Sequence, residues 1–157
     1  EAMEELVDGF KKALRFRDLQ IIELLLYCQL PNKQVAETMN IDEKTVALVK
    51  HRSLKQVRSF IEHKKIASDP SSGDFEGLLT DIWEYHRFSC PKRSTIGGFL
   101  LRTLSDDWQR YVDFHLHVLG CRFCRANLED LECETAEHSQ QLQARIMEST
   151  VGFLSRP

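Results

Sequence analysis

Residues 115 to 124 read His-Leu-His-Val-Leu-Gly-Cys-Arg-Phe-Cys. His117 precedes Cys121 by four positions and Cys121 precedes Cys124 by three, an H-x3-C-x2-C spacing. Where the end of one helix meets the start of the next, both intervals can turn their ligand atoms toward one point. A closed structural zinc site takes four protein ligands, and Cys90 is the best fourth. It lies 27 residues before His117, at the head of its own helical segment. Two other chemistries fit the same residues. Free cysteines are often buried as small hydrophobes, which gives a metal-free helical domain. A reversible Cys121–Cys124 disulfide would need a lowered thiol pKa. Cys28 reads as a core residue, Cys133, set among acids, as an inert surface thiol, and His86 and His138 as solvated.

A second group of residues points to nucleic acid. Between Lys44 and Lys65 there are seven Lys or Arg residues and one acid, Glu62, although the chain as a whole has a formal net charge of -3. A basic helix on an acidic protein is a directed surface, and nucleic acid is its commonest partner. Lys33, Lys44, Thr45, Lys50, His51, Arg52 and Lys55 lie on or near that helix and are placed to meet phosphates or base edges. A helical hairpin with a solvated charged face is the plainer reading of the same pattern.

Helical periodicity runs through nearly the whole chain and strand signals are almost absent, so an all-α fold is expected. Helices are predicted over residues 3–15, with Leu6, Val7, Phe10 and Leu14 on one face, and over the strongly apolar 17–29, stopped by Pro31. Asn32 precedes a short helix from Lys33 to Met39. After Asn40-Ile41-Asp42, with Asp42 as cap, comes a long helix from Glu43 to about Lys65. Val35, Ala36, Met39, Ile41 and Val46 are small or apolar where the two would cross, as a helix-turn-helix requires. Further helices are expected over 75–87, Ser94 to about Thr103, Trp108 to about Leu119 and Cys121 to Leu131. Ser105-Asp106-Asp107 caps the third of these, Gly120 ends it, and a separate amphipathic helix with Leu142, Ile146, Met147 and Val151 closes the chain.

The Ala-Ser-Asp-Pro-Ser-Ser-Gly-Asp stretch at 67–74 is the clearest linker, and it marks a change in charge. Residues 1–66 carry twelve basic and ten acidic residues, and 67–157 carry nine and fourteen. The division expected is a helix-turn-helix domain over 1–66, a linker over 67–75, a helical and zinc-binding domain over 76–133, and a terminal amphipathic helix over 134–157.

At 42% hydrophobic and 29% charged residues the chain is not a disordered one. No apolar run approaches the roughly eighteen residues of a membrane span, and the longest, IIELLLYCQL, is broken by Glu23. With no signal peptide or lipidation motif, no membrane partner and a cytoplasmic location are expected. An odd number of cysteines, five, argues against a secreted disulfide framework. The chain begins with Glu1, which reads as a piece of a longer protein.

The run LQIIELLLYCQLPNKQVAETMNIDEKTVALVKHRSLKQVRSFI resembles region four of bacterial sigma factors, above all the small extracytoplasmic-function type. The family has an apolar helix, then a short helix of the form x-x-x-[IV]-A-x-x-[LM], then a turn into a recognition helix. That helix carries Thr-Val near its start and His-Arg one turn later. Here these are Val35-Ala36, Met39, Thr45-Val46 and His51-Arg52, and the likeness covers about residues 14 to 62. The resemblance implies binding to the upstream promoter element and contact with the RNA polymerase core. Departures fall at Ala47, Leu48 and Val49, where the family usually places Lys, Ser and Arg, and at Lys50, where an apolar residue is common. Region two of the family, which melts the promoter, has no counterpart among these residues. The hairpin is also similar to the effector domain of LuxR-type regulators.

Residues 90 to 131 resemble the zinc-binding anti-sigma domain, in which a Cys or His of an early helix joins H-x3-C-x2-C at a helix junction. Tyr111 to Leu116 is like the helix leading into the family's His, and Cys121 to Leu131 like the helix that follows. Counting back from Cys121 selects His117 as the ligand. Aligning Val-x-x-His-Leu selects His115, which shares an inward face with Trp108, Tyr111 and Val112 and would need a two-residue extension before Gly120.

Together these resemblances imply promoter DNA binding in transcription initiation, with a fused zinc-type domain regulating it in cis through an intramolecular contact. The docking surface expected for that contact is Ala47, Leu48 and Val49, met by the Leu142–Met147 face. The alternatives are a protein-interaction module of anti-sigma type and a LuxR-type regulator. An enzyme is not expected: there is no paired-carboxylate motif, nucleophile elbow or phosphate loop, and four protein ligands leave a metal no open position.

Overall fold

The computed structural model describes residues 1–64 and 75–154, and all the regular structure in them is helical. The linker at 67–74, Lys65, and the side chains of Leu142, Ile146, Met147 and Val151 lie outside the described residues. No helix among the described residues is long and apolar enough to cross a membrane.

Helix α1 (Ala2–Lys12) buries Met3, Leu6, Val7 and Phe10, an i, i+3, i+4, i+7 stripe. Glu4 and Glu5 in its first turn and Lys11 and Lys12 in its last complement the helix dipole. α2 (Phe16–Ile22) passes directly into a π-turn at Glu23–Tyr27. Phe16, Leu19, Ile21, Ile22 and Leu24 to Leu26 are all buried. From Leu19 to Leu26 every residue but Gln20 is buried, so this stretch sits at the centre of its domain. The expected 17–29 helix is therefore α only as far as Ile22. Cys28 N–H then reaches back five residues to the Glu23 carbonyl, and Pro31 bars continuation.

α3 (Asn32–Met39) ends at Asn40, which adopts the left-handed conformation (φ 50°, ψ 55°) that closes a helix C-terminus. Asp42 then caps α4 (Glu43–His63), its carboxylate accepting the Thr45 N–H at 2.9 Å and the Thr45 hydroxyl at 2.6 Å. α4 turns Val46, Val49, Ser53, Leu54 and Val57 inward.

The segments on either side of the linker share a core. α5 (Phe75–His86) lays Leu79 and Trp83 into the same apolar cluster as α1, α2 and α4. Its Thr80 hydroxyl donates to the Leu26 carbonyl at 2.6 Å, which occupies a main-chain acceptor near the end of the π-turn. From α7 (Asp106–Asp113), Tyr111 stacks on Phe16 at 4.8 Å and Trp108 meets the same ring edge-on at 4.7 Å. Aromatic pairs of this kind contribute about 0.5–1.5 kcal/mol each beyond their area burial. A second, smaller cluster joins Ile96 of α6 (Arg93–Leu100), Val112, Leu116, Cys121 and Cys124.

Two expectations for the second half change. α7 begins at Asp106 rather than Trp108 and gives way to a second π-turn, Phe114–Val118. α8 is one helix from Arg122 to Leu154, where a break after Leu131 was expected. No Gly or Pro falls between Leu131 and Val151, so nothing local interrupts the helical ladder.

Candidate metal centre

Four ligand atoms converge between α6, α7 and the start of α8. Arg87, in the left-handed region (φ 51°), turns the chain after α5 and delivers Cys90, whose N–H bonds the Arg87 carbonyl. Gly120 (φ +66°) ends the second π-turn in a conformation that suits glycine. Cys121 follows at the mouth of α8 and Cys124 in its first turn. The exposed amides of that turn favour thiolates there. His115 projects from the π-turn, with only 1% of its surface exposed.

The donor atoms of Cys90, His115, Cys121 and Cys124 all lie within 4.8 Å of one another. The Cys90 and Cys121 sulfurs are 3.7 Å apart. Two sulfurs held by a tetrahedral zinc at about 2.3 Å would be roughly 3.8 Å apart, so this edge already has the size of a coordination tetrahedron. His115 Nε2 is buried and makes no hydrogen bond. An unpartnered imidazole nitrogen aimed at three sulfurs is what a metal ligand set looks like without its ion, and the residues can hold one.

His117 is elsewhere. It stands on the surface, its Nδ1 3.0 Å from the Asp113 carboxylate. The π-turn supplies the reason: Leu119 N–H bonds the Phe114 carbonyl five residues back, which inserts a residue into the helix and rotates the side chains that follow. Counting back in α-helical steps from Cys121 therefore lands on a histidine outside the cluster, while the inward face of Tyr111, Val112 and His115 lands on the one inside it.

The electrostatics fit a site built for shared charge. Burial opposes a charged imidazole at His115, but the Cys121 and Cys90 sulfurs and then Glu23 outweigh it and push the group up to about 11. The Cys121 thiol is held well below its ordinary range by the Cys124 and Cys90 thiols, and Cys124 is raised by the same contacts.

Sequence reasoning missed the residues behind the ligands. Glu23, with no exposed surface, places Oε1 3.0 Å from His115 Nδ1 and 3.0 Å from the Tyr111 hydroxyl. That hydroxyl is also 2.8 Å from the Ser89 carbonyl. The signal was visible as the one acid inside IIELLLYCQL: a carboxylate in so apolar a run must be buried, and a buried carboxylate must be partnered.

On α4, Lys44, Ala47, Leu48, His51, Arg52 and Lys55 are all exposed. Thr45 is occupied with Asp42, and Lys50 pairs with Glu76 of α5 at 2.7 Å. Of the α4 residues expected to dock the second half, Val49 belongs to the core and Ala47 and Leu48 are exposed among the described residues, while the Leu142–Met147 face expected to meet them lies outside those residues. No family model, curated protein or solved structure matches the chain.

Proposed function

We propose that the chain binds promoter DNA through the outer face of α4, as region four of a sigma factor does, and that zinc at Cys90, His115, Cys121 and Cys124 supports that unit structurally. The observation that carries this reading is the division of α4 into two faces. Val46, Val49, Leu54 and Val57 anchor one side, while Lys44, His51, Arg52 and Lys55 stand free on the other around Ala47 and Leu48. A helix so held can enter a major groove, its cations on phosphates or guanine edges and its small apolar side chains against thymine methyls. Asp42 fixes the start of that helix through Thr45, the end that would approach the bases.

Three sulfurs and one imidazole suit zinc among the common divalent metals. All four positions would be filled by protein, so the ion's chemistry is to bind and cross-link. Regulation in cis would then act through packing beneath α4, where α5 and the first π-turn meet.

The test is a titration of the chain against duplex DNA between 50 and 200 mM salt. Affinity should fall steeply with salt, and Lys55→Ala should reduce the log–log slope by about one if Lys55 neutralises one phosphate. Selection from a random duplex pool should enrich one sequence. Binding no tighter than that of an acidic control protein, at every salt concentration, would end this reading.

A further inference from the structure

The chain's own first half reaches into the metal centre. His115 presents Nε2 to the three sulfurs and Nδ1 to Glu23 Oε1 at 3.0 Å, across 92 residues of sequence. Glu23 opens the first π-turn and His115 lies in the second, so the two helical irregularities of the described residues meet at this bond. Tyr27 closes the first π-turn, and burial and then the Cys121 sulfur push its hydroxyl up to about 12. Lys11 of α1 donates to the Phe88 carbonyl at 3.0 Å. Its pKa is lowered by burial, against the pull of Glu23, Asp8 and Cys90.

We propose that Glu23 is a positioning residue of the metal centre, and that metal bound there fastens the second half of the chain onto the α1–α4 unit. The proposal rests on reading Cys90, His115, Cys121 and Cys124 as a zinc site. A carboxylate on the distal nitrogen of a ligating histidine fixes the tautomer and ring orientation and makes the other nitrogen a better donor. Because the carboxylate here belongs to the helix at the centre of the first core, the free energy of metal binding reaches that core directly. Neither the local ligand spacing nor the basic face of α4 requires this.

A purely structural role makes the opposite prediction. If Glu23 only neutralises a protonated His115, removing its charge lowers proton competition for Nε2 and leaves zinc affinity unchanged or tighter. If it orients and polarises the ligand, Glu23→Gln should weaken zinc binding by about 10- to 100-fold. Affinity would be measured with zinc itself by competition against a chromophoric chelator, and the thiolate-to-cobalt absorption bands of the cobalt-loaded protein should shift in the variant. Amide exchange on the wild-type chain, with and without zinc, needs no variant to fold. Protection should rise over residues 16–27 as well as 106–131. In Glu23→Gln the zinc-dependent gain over 16–27 should be lost and that over 106–131 kept. Unchanged or tighter affinity in the variant overturns the proposal, as does wild-type protection confined to residues 90–131. A wild-type chain that takes up no zinc overturns the metal centre and this proposal together. None of these readouts involves DNA, so the fate of the α4 reading is decided separately.

Discussion

Two histidines two positions apart should behave oppositely when replaced by alanine. His115→Ala removes one donor of the cluster and also leaves Glu23 buried with the Tyr111 hydroxyl as its remaining hydrogen-bond partner. Breaking a buried pair from one side costs about 3–5 kcal/mol, because the surviving charge stays in place without compensation. In a chain of this length each kcal/mol moves the melting temperature by about 2–4 °C, so a fall of about 6–20 °C is expected. His117→Ala removes only an exposed partner of Asp113, worth about 0–1 kcal/mol, so its melting temperature should drop by no more than about 4 °C. Calorimetry with and without a chelator adds a second axis. Zinc free at a thousand times its Kd stabilises by about 4.1 kcal/mol, or about 8–16 °C here. Chelation should therefore lower the melting temperature of the wild type and of His117→Ala, and barely move that of His115→Ala. If His117→Ala loses zinc while His115→Ala retains it, or if neither responds to the chelator, the assignment from geometry is wrong.

Thr80→Val keeps the shape of the side chain but strands the Leu26 carbonyl that its hydroxyl reaches. It should cost about 1–3 kcal/mol in a denaturant midpoint series, with an unchanged m-value. The Asp42 carboxyl is held below its ordinary range by the Thr45 hydroxyl and then the Thr45 N–H. A depressed carboxyl contributes stability that is complete above its unfolded value, near 3.9, and lost as pH falls through the lower folded one. The gap between the wild type and Asp42→Ala should accordingly be constant above about pH 5 and close below it. Thermal scans across that range check the sign, and a gap that widens in acid would contradict it.

The helical elements were written locally. Pro31, Asn40, Asp42 and Gly120 set boundaries by backbone rules that need no partner, and the Cys-x-x-Cys pair with Cys90 marked the sulfur donors of the cluster. Periodicity also put Tyr111, Val112 and His115 on one face, which is buried. What ligand spacing could not choose was the histidine, since an inserted π-turn residue changes the phase without changing the composition. The expected break after Leu131 is absent because no residue there stops a helix.

Three features came only from tertiary structure. The linker composition suggested two separate cores, yet Phe16 stacks on Tyr111 and Thr80 bonds to Leu26, joining both sides of it. The apolar residues Ala47, Leu48 and Val49 read as one docking surface, yet packing sends Val49 into the core and leaves Ala47 and Leu48 exposed among the described residues. Glu23 joins His115, 92 residues away, a distance no local pattern spans. Spacing along a chain shows which side chains can share a face. Only packing, through the burial of a charge that must find a partner, decides which face meets which.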